Sequence, residues 1–343
     1  MKHRSAMLLV AAAAAVTLAP AAAAEVTTAP AIAPPPVPAA TAAAPGASVP
    51  SPTLNENGEL TEIVIRAPEP RYVAPTRRDQ IGRIWAPVYI NGKGPFRMVL
   101  DSGASRSGVT ARVASALGIP PDESNPVKLR AVTGSATVPT IHVNTLQVGD
   151  VLVTDSRLPI LADALGGADG VLGNEGLADQ RVYIDFRHDL IIISRSHGRP
   201  AAPGFKTVPF TLERGRLLVA DVSLGLVHAK AIIDTGGQIT VANMALRDAL
   251  IRHRRREKVS IDQIEGVTND IQDGEGRRAP PIQFGPIEIQ SKRMTFADIR
   301  IFEYWKMTKE PSVLIGMDAL GLLDTLIIDY RRRELMLRMR GDS

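Results

Sequence analysis

The sequence has no cysteine. That excludes disulfides, thiolate metal sites and any lipid attached through a Cys, so the fold must rest on core burial. Beyond the N-terminus no apolar run reaches the roughly 20 residues a membrane-spanning helix needs. Charge of one sign is also scarce. The formal +4 falls to +2 once Lys2 and Arg4 are set aside, too weak a bias to imply a nucleic-acid partner. The six His residues, at 3, 142, 188, 197, 228 and 253, contain no His-Glu-x-x-His and no close pair on a helix. No metal and no cofactor is therefore expected. Gly103-Ala104-Ser105-Arg106-Ser107 misses the Gly-x-Ser-x-Gly spacing of a serine nucleophile elbow.

What the chain does contain begins with a basic start, an apolar run from Ala6 to Ala19 and small residues through Ala24. This reads as a secretory signal peptide over 1–24, which predicts a periplasmic or secreted protein without an integral membrane span. Residues 25–59 are rich in Ala and Pro and read as a flexible linker. Residues 60–82 form an N-terminal arm in which Ile63-Val64-Ile65 suits a strand and Arg66, Arg71, Arg77 and Arg78 stand among prolines. A surface arm packed on the first lobe is the plainer reading of it, an inhibitory prosegment the alternative. The remaining length, about 260 residues, suffices for two domains or lobes.

Those two lobes, 83–197 and 205–340, repeat one pattern. Val99-Leu100-Asp101-Ser102-Gly103-Ala104-Ser105 returns as Ile232-Ile233-Asp234-Thr235-Gly236-Gly237-Gln238. Each copy is an apolar strand ending in Asp, a hydroxyl residue and Gly. An isolated buried carboxylate is too costly to keep, so each Asp needs donors or a second titratable group. In the first lobe a hairpin turning at Asn91-Gly92-Lys93-Gly94 delivers Asp101, and a helix follows around Thr110–Leu117 with Gly118 as its stop. Short β-prone runs then span Val127–Val153, broken at Thr133-Gly134-Ser135. Val171-Leu172-Gly173 and a closing strand pair complete the unit. In the second lobe Asn243 opens a helix, Gly266–Gly276 reads as a longer polar loop, and Leu314-Ile315-Gly316 precedes the closing strands. The pairs Asp101/Asp234 and Gly173/Gly316 lie 133 and 143 residues apart, which an internal duplication explains. Asp185 and Asp329, at equivalent places in the closing strands, read as turn or capping groups, and Arg252–Lys258 as a solvated helix end.

An apolar strand into Asp-Ser/Thr-Gly, followed some 70 to 80 positions later by two apolar residues and Gly, resembles the retropepsin-type aspartic peptidases. The resemblance implies an all-β protein, mainly β with short helices, whose two β-barrel lobes form a pseudo-two-fold acid-protease fold within one monomer. It implies Asp101 and Asp234 as the catalytic pair, with Ser102, Gly103, Thr235 and Gly236 as the dyad corners. Leu172, Gly173, Ile315 and Gly316 would be the apolar-Gly elements, and Thr133, Gly134 and Ser135 the candidate flap. Two carboxylates about 3 Å apart share a proton and titrate as a pair. The substrate would be a protein or peptide segment bound in extended form.

The second corner departs from the family pattern, carrying Gly237-Gln238 where Ala or a hydroxyl residue and then Ser or Thr are usual. A catalytically silent peptide-binding module therefore stays open, as does a protease active only as a homodimer through its first lobe. Neither Ala104 nor Gly237 offers a hydroxyl to the dyad, so a less acidic working range than that of digestive relatives is expected.

Overall fold

Alternating burial builds the first hairpin. Ala86, Val88 and Ile90 of Trp85–Ile90 are fully buried, and the strand pairs antiparallel with Lys93–Leu100. The turn places Asn91 and Gly92 in the left-handed region, at φ 49° and 74°, as a tight hairpin of this twist requires. Lys93–Leu100 changes from exposed to buried along its length, so it enters the core just before Asp101. The computed structural model describes residues 6–9, 15–17, 72–75, 84–149, 151–163, 165–214, 217–251, 259–266, 268, 270–290 and 293–340, all within one compact unit. The proposed cleavage point after Ala24, the linker, Ile63-Val64-Ile65 and the basic run Arg252–Lys258 lie outside them.

The first lobe is an eight-stranded sheet in which Ser135–Val148 pairs with Asp122–Arg130 on one side and with Val151–Leu161 on the other. Val151–Leu161 is also the far strand of the same sheet, so the sheet closes into a barrel. The second lobe is built on an eleven-stranded sheet with the same central elements. In both, the apolar-Gly element runs parallel to the strand carrying Asp: Leu172 beside Leu100, and Ile315 beside Ile233. A third, six-stranded sheet joins the lobes through antiparallel pairing of Gln180–Asp185 with Leu323–Asp329. Tyr72–Pro75, from the arm, adds its outermost strand against Leu190–Arg195.

The helices form where the pattern predicts. Ala111–Leu117 buries Val113 and Leu117 and ends at Gly118 in the left-handed conformation, φ 74°. Met244–Ile251 is capped by Asn243 Oδ1, which accepts the Leu246 N–H at 2.9 Å and so satisfies one of the orphan donors of the first turn.

Two stretches differ from their sequence reading. Val127–Val153 contains no row of short runs but the end of the strand Asp122–Arg130, the whole of a 14-residue strand and the start of an 11-residue one. Prolines 126, 139 and 159 interrupt the propensity without breaking the barrel. Of Gly266–Gly276, only the first part joins two strands, while Ile271–Gly276 belongs to the strand Ile271–Arg277, which pairs antiparallel with Ser260–Glu265. Its glycines suit a strand crossing close to a neighbour: a Cβ on Gly274 would stand 2.7 Å from Thr295 Cγ2.

One large apolar cluster runs through both lobes and the joining sheet. Two smaller ones flank the paired corners, one around Val99, Ala104 and Val171 and one around Ile232, Ile239 and Leu314. Each side chain so buried contributes on the order of 1.5–3 kcal/mol, and together they carry a chain without disulfides.

Candidate active site

Asp101 and Asp234 stand where two buried strands end, and both are fully buried. Their backbone N–H groups donate to the carbonyls of Leu172 and Ile315, each at 3.0 Å, so the apolar-Gly elements fix the height of each carboxylate. The side chains are held alike. Asp101 Oδ1 accepts the N–H groups of Gly103 and Ala104 at 2.8 and 2.9 Å. Asp234 Oδ1 accepts those of Gly236 and Gly237, both at 2.9 Å. Gly237, the departure noted in the sequence, thus supplies the same backbone donor as Ala104.

The structure brings the two corners together. Ser102 N–H donates to Thr235 Oγ1 and Thr235 N–H to Ser102 Oγ, both at 3.0 Å. Each hydroxyl then donates across to the carbonyl preceding the opposite Asp: Ser102 to Ile233 at 2.8 Å, Thr235 to Leu100 at 2.7 Å. Close approach needs the glycine. A Cβ on Gly236 would lie 2.3 Å from Asp101 Cγ. Burial, the charge of Asp234 and a hydrogen bond shared with Asp234 hold the Asp101 carboxyl well above the usual carboxylate range, against the lowering pull of the Gly103 and Ala104 N–H groups. Two like charges buried side by side disfavour each other, so ionisation of one carboxyl makes ionisation of the other harder.

Behind each corner the support repeats. Ser107 Oγ accepts the Gly173 N–H at 3.0 Å and Thr240 Oγ1 the Gly316 N–H at 3.2 Å. Glu175 accepts the Ser107 N–H and Asp318 the Thr240 hydroxyl, and burial pushes both carboxyls upward. Among the described residues, no group of three or more His, Cys, Asp or Glu is placed to hold a metal ion.

Thr133, Gly134 and Ser135 sit at and just after the tip of the first-lobe hairpin, Thr133 and Gly134 buried rather than free in solvent. This tip meets the second lobe's hairpin: a Cβ on Gly134 would overlap the Asp270 carboxylate, and one on Gly266 would stand 2.6 Å from Thr133 Oγ1. Val132 packs into the second-lobe cluster with Ile264, Ile299 and Ile301, and its carbonyl accepts the Ile301 N–H at 3.2 Å. A groove of about 900 Å³ beside the junction is lined by residues of both lobes, Arg130, Asp270 and Tyr304 among them.

Residues 86–179 match the family model of the gag-polyprotein putative aspartyl proteases. The match takes in Asp101, the hairpin tip and Gly173 and ends before the second lobe. A search of the curated proteins found no match. Among solved structures, the chain is similar to the crystal structure of Basic 7S globulin from soybean, with 12% identity over 80% of this chain and 98% of that one and a TM-score of 0.45.

Three residues of the site escaped the sequence reading. Val132 looks like one apolar residue among many in a β-prone run. Asn174 follows Gly173 directly and was readable as part of that element. Tyr330 carried no signal, because its partner lies 156 residues away.

Proposed function

We propose that the chain is an aspartic endopeptidase that hydrolyses peptide bonds of extended protein segments with water activated by Asp101 and Asp234. One observation carries this reading: two buried carboxylates, each anchored through Oδ1 by two backbone N–H groups, stand on the two sides of a reciprocal Ser102/Thr235 junction. In that arrangement the ionised carboxylate takes a proton from water as the oxygen attacks the peptide carbonyl carbon. The protonated partner gives its proton to the carbonyl oxygen. The tetrahedral diol then collapses, the C–N bond breaks and a proton passes to the leaving amine.

Main-chain recognition is supported by the hairpins. Lys128–Arg130 pairs antiparallel with Ala15–Thr17, and Asp262–Glu265 pairs parallel with Ala6–Leu9. The leading strand of each hairpin therefore offers a peptide edge, one in each sense, as a single extended segment crossing two pseudo-symmetric hairpins requires. Export of the enzyme to the periplasm or beyond, as a monomer of two lobes, belongs to the same proposal.

The test is cleavage of an unfolded protein by the purified chain, with Asp101→Asn and Asp234→Asn made separately. Loss of turnover by at least about 10³-fold in each, and block by a statine-type inhibitor, are expected. A wild type inert at every pH would leave a peptide-binding module. Loss in Asp101→Asn alone would mean that the second corner is not catalytic.

A further inference from the structure

Tyr330 lies just past the strand Leu323–Asp329 of the second lobe, yet its hydroxyl donates to Asn174 Oδ1 of the first lobe at 2.7 Å. Asn174 passes the interaction on: Nδ2 donates to the Ser102 carbonyl at 2.7 Å, and its backbone N–H to the Ala104 carbonyl at 2.9 Å. The Ser102 carbonyl and the Gly103 N–H belong to one peptide unit, and that N–H ends on Asp101 Oδ1 at 2.8 Å. A line of three hydrogen bonds thus runs from a second-lobe phenol to the first-lobe carboxylate. Tyr330 and Asn174 are both buried. In such surroundings successive hydrogen bonds polarise one another, so each upstream donor strengthens the last bond onto the carboxylate.

At the matching positions of the second corner the residues differ. The position after Gly316 is Met317, where the first lobe has Asn174, and the position after Asp185 is Phe186, where the second lobe has Tyr330. Both are buried and neither side chain can donate a hydrogen bond. The duplication is close to symmetric at the corners, with matched grip, matched N–H donors and matched Ser107/Thr240 supports, and it is broken at this pair of positions. A hydrogen bond donated to a carboxylate favours its ionised form, so the asymmetry has a direction.

We propose that Tyr330 is a positioning residue that acts through Asn174 to favour the ionised form of Asp101, so that Asp101 serves as the base of the pair. This rests on the protease reading above. The ionisable groups against Asp101 are Asp234, whose charge acts on it, and Tyr330 itself. Glu175 stands further along the Asn174 loop, bonded to the Ser107 N–H with Arg106 nearby. Asp329, next to Tyr330, is bonded to Arg181 and Ser196, and the Tyr330 ring meets Phe210 edge-on. None of these supplies a second donor line to Asp101.

The experiment compares the pH dependence of kcat and KM, and of statine-type inhibitor binding, in the wild type, Tyr330→Phe and Asn174→Met. The second variant copies the opposite corner and keeps the test open if the first folds poorly. Both variants should move the acid limb upward by about half a pH unit, lower kcat by about tenfold and leave KM within about twofold. Inhibitor binding should shift along the same pH axis. Profiles that stay in place while only the melting temperature falls would reduce Tyr330 to a strut between lobes and overturn the proposal. A wild type that neither cleaves nor binds the inhibitor would end the protease reading itself, an outcome separable because it appears before any Tyr330 variant is made.

Discussion

Ser102 and Thr235 exchange hydrogen bonds as equals, each hydroxyl accepting the other's backbone N–H at 3.0 Å and donating to the carbonyl before the opposite Asp. The two hydroxyls therefore take part in four buried bonds, and removing one leaves a buried N–H and a buried carbonyl without partners. Thr235→Val, which keeps the shape, should cost about 2–4 kcal/mol in urea unfolding. The Ser102→Ala, Thr235→Val double variant should cost clearly less than the sum of the singles. Strict additivity would show that the hydroxyls do not act as one junction.

The Asp101 carboxyl, held above its ordinary range by burial and by Asp234, ties stability to pH. A raised folded value contributes stability that is fully present below the unfolded value, about 3.9, and is lost as pH rises through the folded value. Melting temperatures of the wild type should thus fall from pH 4 toward neutrality. Asp101→Asn, which removes one member of the coupled pair and with it the like-charge contact, should flatten that decline. Parallel curves for the two proteins would contradict that coupling. A carboxyl this reluctant to ionise predicts a working range less acidic than that of digestive relatives, and a rate profile peaking strongly at very low pH would refute it.

Gly236→Ala should abolish activity, because its Cβ would stand 2.3 Å from Asp101 Cγ and 2.5 Å from Oδ2. A contact that short cannot be relieved without parting the corners. Gly237→Ala gives the second corner the residue found at Ala104. Its Cβ would lie 2.8 Å from Asp234 Oδ2 and 3.1 Å from Cγ, a conflict that a small shift of the carboxylate relieves. The protein should then remain folded by circular dichroism and keep measurable turnover. Equal loss in both variants would mean that crowding at Asp101 is not what selects Gly236.

Val132 joins the hairpin tip of one lobe to the apolar cluster of the other. Val132→Ala should cost about 1–2 kcal/mol and, more tellingly, speed amide exchange at Ile301, whose N–H donates to the Val132 carbonyl. Exchange measured by mass spectrometry should change there and around Thr133–Ser135 before it changes in Gln180–Asp185. Uniform acceleration across the chain would show global destabilisation in place of local tip release.

Much of this molecule was legible in its residues because the decisive patterns are local. Asp-Ser-Gly and Asp-Thr-Gly after apolar strands, each followed by two apolar residues and Gly, mark the corners and the elements that buttress them. Gly118 and Asn243 mark helix ends through backbone chemistry that acts over one turn. Less legible were the long barrel strands through Pro126, Pro139 and Pro159, where pairing on both sides overrides weak propensity, and the second hairpin, whose glycines imitate a loop. The repeat itself determined that there are two corners of one kind. That they meet as a reciprocal junction, that Val132 seats in the opposite lobe, and that a tyrosine of the second half reaches the asparagine behind Asp101 were decided only by the tertiary structure. Those contacts span more than a hundred residues of chain, and no spacing rule reaches that far. They arise where two lobes bury their facing polar groups and each must find its partner in the other.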